Sequence, residues 1–408
     1  MKLSLNKEFF YQLFFTFCVV IPFFNNYELS FISWLLALVL TFKKSYSASF
    51  LRYVSYFIFI FILAFIVGVF YQYRLYFVIR DITYLLKPIL GLFIGYQFFN
   101  SQIKNPFKFL LYSGLAMAII HLALVGYGIV FQGAKSVASI REYGGYFNDY
   151  EIYTFIILLF HKKFQVDLST KRYRLFFIIM GLSTFFYLAR TNFIQLVILF
   201  MAMKGWLILN KKSLTIIGTL IIASVLSYTA IYLYNPKRNG DSVNEFLYKI
   251  KLIPLEAFAT KINRNDWKDF HDHYRSYENV RTIEQLTYND SYILGEGIGS
   301  QVDLKQKVRL GDMDLRHISI LHNGYMTVYL KAGIPGLLLL FGSIFYFFRK
   351  QSSVNDLDHN INLLFIGTGL FLIISYWVFM GFYNLLDSKS LLIGFLFSYK
   401  NHLRKITY

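Results

Sequence analysis

The chain has 408 residues, 56% of them hydrophobic and only 16% charged. Its apolar residues fall in continuous runs of membrane-spanning length without strand alternation, which excludes a soluble domain and a β-barrel and leaves a bundle of helices. The formal charge of +18 is scattered over the segments between those runs, so anionic lipid headgroups fit it better than nucleic acid.

In chain order, the apolar runs predict spans near 9–24, 27–42, 50–71, 77–99, 107–132, 146–161, 173–189, 191–209, 213–234, 322–347, 361–382 and 387–400. The expectation is an all-α polytopic transmembrane bundle of about twelve spans. Helices 1–9 lie in 1–234, a large outer loop or lid of short helices in 235–321, and helices 10–12 in 322–408. The first run lacks a small-residue cleavage site and reads as a retained span. It holds the only cysteine, Cys18, which excludes a disulfide framework. Lys43, Lys44, Arg52, Lys104, Lys108, Lys162, Lys163, Lys171, Arg172 and Arg174 all fall in short connections on one side. That bias places both termini in the cytoplasm.

The same assignment gathers Arg141, Arg190, segment 235–321 and His322 on the outer side. Arg190 interrupts an apolar stretch from Leu175 to Leu209, which at about 1.5 Å per residue would far exceed a hydrocarbon core of about 30 Å. The chain is therefore expected to turn near Arg190. In the outer segment, Asn235-Pro236 stops a helix, and Ser242-Val243-Asn244-Glu245 reads as a capping box opening an amphipathic helix to about Phe258. Short membrane-lying helices are expected within 264–288.

Tyr274-Arg275-Ser276-Tyr277-Glu278-Asn279-Val280-Arg281 offers two candidate anion ligands, Arg275 and Arg281, although Arg275 is also spaced to pair with Glu278 on a helix surface. Gly295-Glu296-Gly297-Ile298-Gly299 lacks the spacing of a dinucleotide loop. Its glycines suit backbone amides approaching an anion, or the lid packing closely on the bundle. His271-Asp272-His273, with Asp266 and Asp269, matches no zinc or calcium pattern, and no metal is expected. His322 stands where the polar segment ends and an apolar helix begins, either capping that helix or serving chemistry. Pro335 is expected to kink the helix about three turns below it.

These parts, in this order, resemble the O-antigen ligase and polymerase superfamily of bacterial cell-envelope glycosyltransferases. They are Leu188-Ala189-Arg190-Thr191 between two spans, a large outer loop with Arg275-Ser276-Tyr277-Glu278 and Gly295-x-Gly297-x-Gly299, then His322-Asn323-Gly324-Tyr325 and Gly333-x-Pro335-Gly336-Leu337. The Arg-x-x-Trp motif of some relatives is absent. The resemblance implies a twelve-helix inner-membrane enzyme working on the periplasmic side. It would move a glycan from a polyprenyl (undecaprenyl) diphosphate carrier to a glycan or lipid A-core acceptor, as polymerase or ligase, with no cofactor and no metal. It implies His322 as the catalytic residue assisting the acceptor, and Arg190 with Arg275 or Arg281 as diphosphate ligands. Arg141, Asn323, Tyr325 and Gly297 are further substrate-binding candidates. The alternative is a transporter or flippase for lipid-linked saccharides, for which cavity charges in both halves and an internal repeat are expected; neither is visible.

Overall fold

A computed structural model describes residues 7–99, 103–146, 148–208, 211–237, 273–310, 313–349, 352–386 and 388–407, with isolated positions between 244 and 270. The chain is 74% helical, which makes the fold all-α. In order come α1 (Lys7–Val20), α2 (Tyr27–Leu40), α3 (Ala48–Val69), α4 (Leu75–Phe98), α5 (Pro106–Phe131), α6 (Val137–Gly144), α7 (Asp149–Leu159), α8 (Thr170–Phe186), α9 (Arg190–Met203) and α10 (Lys211–Tyr234). Then follow α11 (Tyr274–Tyr288), β1 (Val302–Leu310), β2 (Met313–Ile318), α12 (Gly324–Phe345), α13 (Asp356–Phe379) and α14 (Lys389–Thr407). Every apolar run contains a helix. Among the described residues, four helices, Ala48–Val69, Pro106–Phe131, Gly324–Phe348 and Asp356–Phe379, are long and apolar enough to cross a membrane.

Helix boundaries follow local chemistry. Asn26, Ser47, Asn105, Asn148, Ser169 and Asn355 each accept an orphan backbone N–H at the start of a helix. In the core α4 packs on α14, α3 on α12 and α9 on α13. Small residues permit the closest of these crossings: a Cβ on Gly95 would lie 1.9 Å from the carbonyl oxygen of Leu391. Among the described residues, three buried lysines of the bundle each meet a buried carboxylate, as burial of a charge favours. Lys389 meets Asp149 at 2.6 Å, Lys400 meets Asp358 at 3.1 Å, and Lys331 meets Asp81 at 2.5 Å.

Two expectations change. Segment 235–321 is not built of short helices alone: β1 and β2 form an antiparallel hairpin, with Val302 opposite Ile318 and Leu310 opposite Met313. The pairing register slips between Asp303 and Val308, where Lys305 takes φ +57°. Val302, Leu304 and Val308 still face inward at even spacing, but the polar Gln306 stands between them and hides the strand period in the sequence. Tyr274, Tyr277 and Leu286 of α11 pack on Val302, Leu304, Val308 and Ile318 in a small core that joins the bundle through Leu330. The second change is the break in α12. It falls at Gly333 (φ +62°, ψ −157°) rather than at Pro335 itself, because the lid inserts there and Ile334 N–H donates to the Ile293 carbonyl at 2.8 Å. The expected capping box at Ser242, and His271 with its neighbouring aspartates, lie outside the described residues.

The glycine run fixes the lid to the bundle. Gly297 takes φ +78°, and a Cβ there would lie 2.1 Å from the backbone nitrogen of Gly68 in α3. Gly299 N–H donates to Asp81 at 2.8 Å, and Lys331 donates to the same carboxylate oxygen and to the Ser300 carbonyl at 2.6 Å. Both uses open to this run are met within the protein, with Gly297 packing closely on α3 and the Gly299 amide meeting the Asp81 carboxylate. Removing one member of a buried pair strands the other charge. Lys331→Met is thus expected to cost about 3–5 kcal/mol, read as a lowered midpoint of thermal unfolding in detergent, with Asp81→Asn added to it recovering most of the loss.

Candidate functional site

The site begins at the connection between α8 and α9. Helix α8 ends at Phe186, and Leu188 takes a left-handed φ of +49°, a conformation that a branched side chain adopts only when its surroundings impose it. Tyr187 supplies that constraint. Its ring lies parallel to His121 of α5 with centroids 3.7 Å apart, and its hydroxyl donates to Glu151 of α7 at 3.0 Å. His121 in turn shares a 2.7 Å hydrogen bond with Ser183 of α8. The turn held by these three helices presents Arg190 as the first residue of α9. A cation at a helix N-terminus is opposed by the dipole, so helix stability does not explain the placement.

Arg190 lines a cavity of about 420 Å³ whose wall also carries Arg141 from α6 and Arg275 from α11. Thr191, Ser276 and Asn279 complete the polar wall, and Leu188, Ile194, Ile374, Trp377, Val378 and Phe379 form the apolar one. Among the described residues, no carboxylate lines it. Arg190 makes no hydrogen bond or ion pair among the described residues, and the Nε of Arg141 is buried without a partner. Burial first, and then the charges of Arg190 and Arg275, pull the Arg141 guanidinium below its ordinary value, against an opposing effect of Tyr146. Arg275 rests its guanidinium 5.6 Å from the Phe379 ring centroid, and Arg141 lies 5.1 Å from that of Tyr146. The wall therefore concentrates positive charge beside an apolar surface.

Helix α11 links this cavity to His322. Arg275, Glu278 and Asn279 share a helical face at i, i+3 and i+4. Glu278, almost fully buried, does not serve Arg275: its carboxylate accepts from the His322 backbone N–H at 2.9 Å and contacts the His322 Nδ1 at 3.0 Å. Tyr274 closes the other side, edge-on to the imidazole with centroids 5.7 Å apart. Burial, then the Glu278 charge, push the Tyr274 phenol far up, so it stays neutral. A carboxylate only accepts, which assigns the proton to Nδ1 and leaves the Nε2 lone pair of a half-exposed imidazole open.

The remaining candidates are placed elsewhere. Arg281 donates through Nε to the Asp303 carbonyl at 3.3 Å and pairs with Glu284, and it does not line the cavity. His322 precedes the helix and does not cap it, because the Asn323 side chain accepts from the N–H groups of Tyr325 and Met326. Tyr325 donates to the Ile373 carbonyl at 3.0 Å and stacks on Phe341 within the bundle. Gly297 is a packing residue, as described above. Among the described residues no group of three metal-ligating side chains occurs. Sequence reasoning missed the role of Glu278, the wall residues Ser276 and Asn279, and the Tyr187–Glu151–His121 support. The charged and aromatic residues buried in otherwise apolar runs were the signal for the last.

The chain matches no family model, and no curated protein matches it.

Proposed function

We propose that this chain is a polytopic membrane glycosyltransferase that moves a glycan from a polyprenyl diphosphate carrier to a sugar hydroxyl at the outer membrane surface. Its about twelve spans would leave both termini in the cytoplasm. The observation that carries this reading is the convergence of Arg141, Arg190 and Arg275, from three separate segments, on one cavity with an apolar opposite wall. That combination suits an amphipathic anion, with guanidinium forks for phosphate oxygens and an apolar surface for the first carbons of a lipid tail.

The residues then divide the chemistry. In the transfer the bond between the anomeric carbon and the diphosphate oxygen breaks, and the electron pair leaves with the diphosphate, where the arginines meet the growing charge. The acceptor oxygen bonds to the same carbon from the opposite side, inverting its configuration. Its proton passes to Nε2 of His322, and Glu278 beside Nδ1 steadies the imidazolium that results. Fixed cations supply the charge stabilisation, so no metal or cofactor is assigned a step. Acceptors in this reading are a second carrier-linked glycan or a lipid-borne sugar.

The test is to delete the gene and analyse surface glycans. A polymerase deletion leaves single repeat units attached, whereas a ligase deletion leaves none attached and accumulates carrier-linked material. Unchanged surface glycans and unchanged carrier-linked pools contradict the reading.

A further inference from the structure

The cavity wall holds more than is needed to grip an anion. Thr191 follows Arg190 at the start of α9, is 7% exposed, and its hydroxyl has no hydrogen-bond partner. Asn279 lies one turn beyond Arg275 on the same face of α11, and its buried side-chain oxygen has no partner either. Both residues line the cavity, each beside an arginine. A buried polar atom left unpaired is costly, so two of them on the wall of one cavity point to an occupant that completes them. Phosphate oxygens only accept hydrogen bonds and so cannot satisfy the Asn279 oxygen, whereas a hydroxyl both donates and accepts. Trp377 on the apolar side offers a flat aromatic surface against which the C–H face of a ring can lie.

Resting on the reading above, we propose that Thr191 and Asn279 recognise hydroxyl groups of the sugar ring attached to the phosphate, which makes them specificity-determining residues of the donor site. Groups built to pair with a hydroxyl discriminate strongly against an analogue that lacks it, because they are then left buried and unpaired. Phosphate held by the arginines and a ring read by Thr191 and Asn279 together define a glycosyl phosphate, not an alkyl phosphate.

The experiment compares two soluble probes of equal charge and similar size, glucose 1-phosphate and cyclohexyl phosphate, binding to the full chain in lipid nanodiscs. The wild-type protein is expected to bind glucose 1-phosphate at least about tenfold more tightly, and the double variant Thr191→Val, Asn279→Leu is expected to bring the ratio within about twofold of one. If the double variant does not fold, each single substitution must lower the ratio. A wild-type ratio near one overturns this inference and leaves the arginine site standing. A high ratio that survives the substitutions overturns the assignment to Thr191 and Asn279. Failure of both probes to bind overturns the anion site itself, and this inference with it.

Discussion

Replacing Arg190 by alanine is expected to lower the rate of glycan transfer by about 10²–10³, the loss seen when one preorganised donor is taken from a site of developing negative charge. The expectation rests on placement. Arg190 is fixed at the first turn of α9 by a connection that Tyr187 anchors to α5 and α7, and its guanidinium has no other bond among the described residues. Its charge is therefore not consumed by structure, and removing it should leave folding almost untouched. Arg190→Lys keeps the charge but loses the planar fork, so an intermediate rate is expected. Membrane levels and thermal midpoint, measured alongside transfer, separate loss of chemistry from loss of protein. A normal rate in Arg190→Ala would remove the cation from the mechanism.

The second large effect belongs to the pair formed by His322 and Glu278. His322 does not itself line the cavity and is joined to it through Glu278 on α11; His322→Ala removes the proposed proton acceptor and is expected to cost about 10²–10⁴ in rate. Glu278→Gln is the more informative change. Glutamine nearly preserves shape, yet its amide can donate to Nδ1, which reverses the tautomer and places the proton on Nε2, where it blocks acceptance. It also withdraws the charge that steadies the imidazolium. A loss approaching that of His322→Ala is expected, with carrier binding kept, since Glu278 does not line the cavity. If Glu278→Gln lost carrier binding and transfer in equal proportion, Glu278 would be supporting α11 and not orienting a base.

Much of this architecture is legible in the sequence because lipid imposes coarse, long-range rules. Continuous apolar runs mark the long helices of the bundle, though not the short α6 that carries Arg141, and excess length alone demands the turn at Arg190. Segment 235–321 obeys no such rule, and there the residues mislead. Arg275–Glu278 and Arg281–Glu284 have the same i, i+3 spacing, yet only the second forms the helix-surface pair. Glu278 turns away to His322, far along the chain, and a single sequence does not encode which of two equivalent pairs the tertiary fold will break. The glycine run is ambiguous for a related reason: positive φ serves an anion or a close backbone contact equally well, and the neighbour, Gly68, comes from a distant helix. Lys331, buried inside an apolar helix, announces a partner in the sequence without naming Asp81.

The most direct measurement is the affinity of the nanodisc-reconstituted protein for polyprenyl diphosphate, compared between wild type and a variant carrying Arg141→Gln, Arg190→Gln and Arg275→Gln. Each charged hydrogen bond to phosphate contributes about 1.5–3 kcal/mol, so the triple variant should bind at least about 100-fold more weakly while remaining folded. Equal affinity in the two proteins would contradict a cationic cavity that holds the diphosphate.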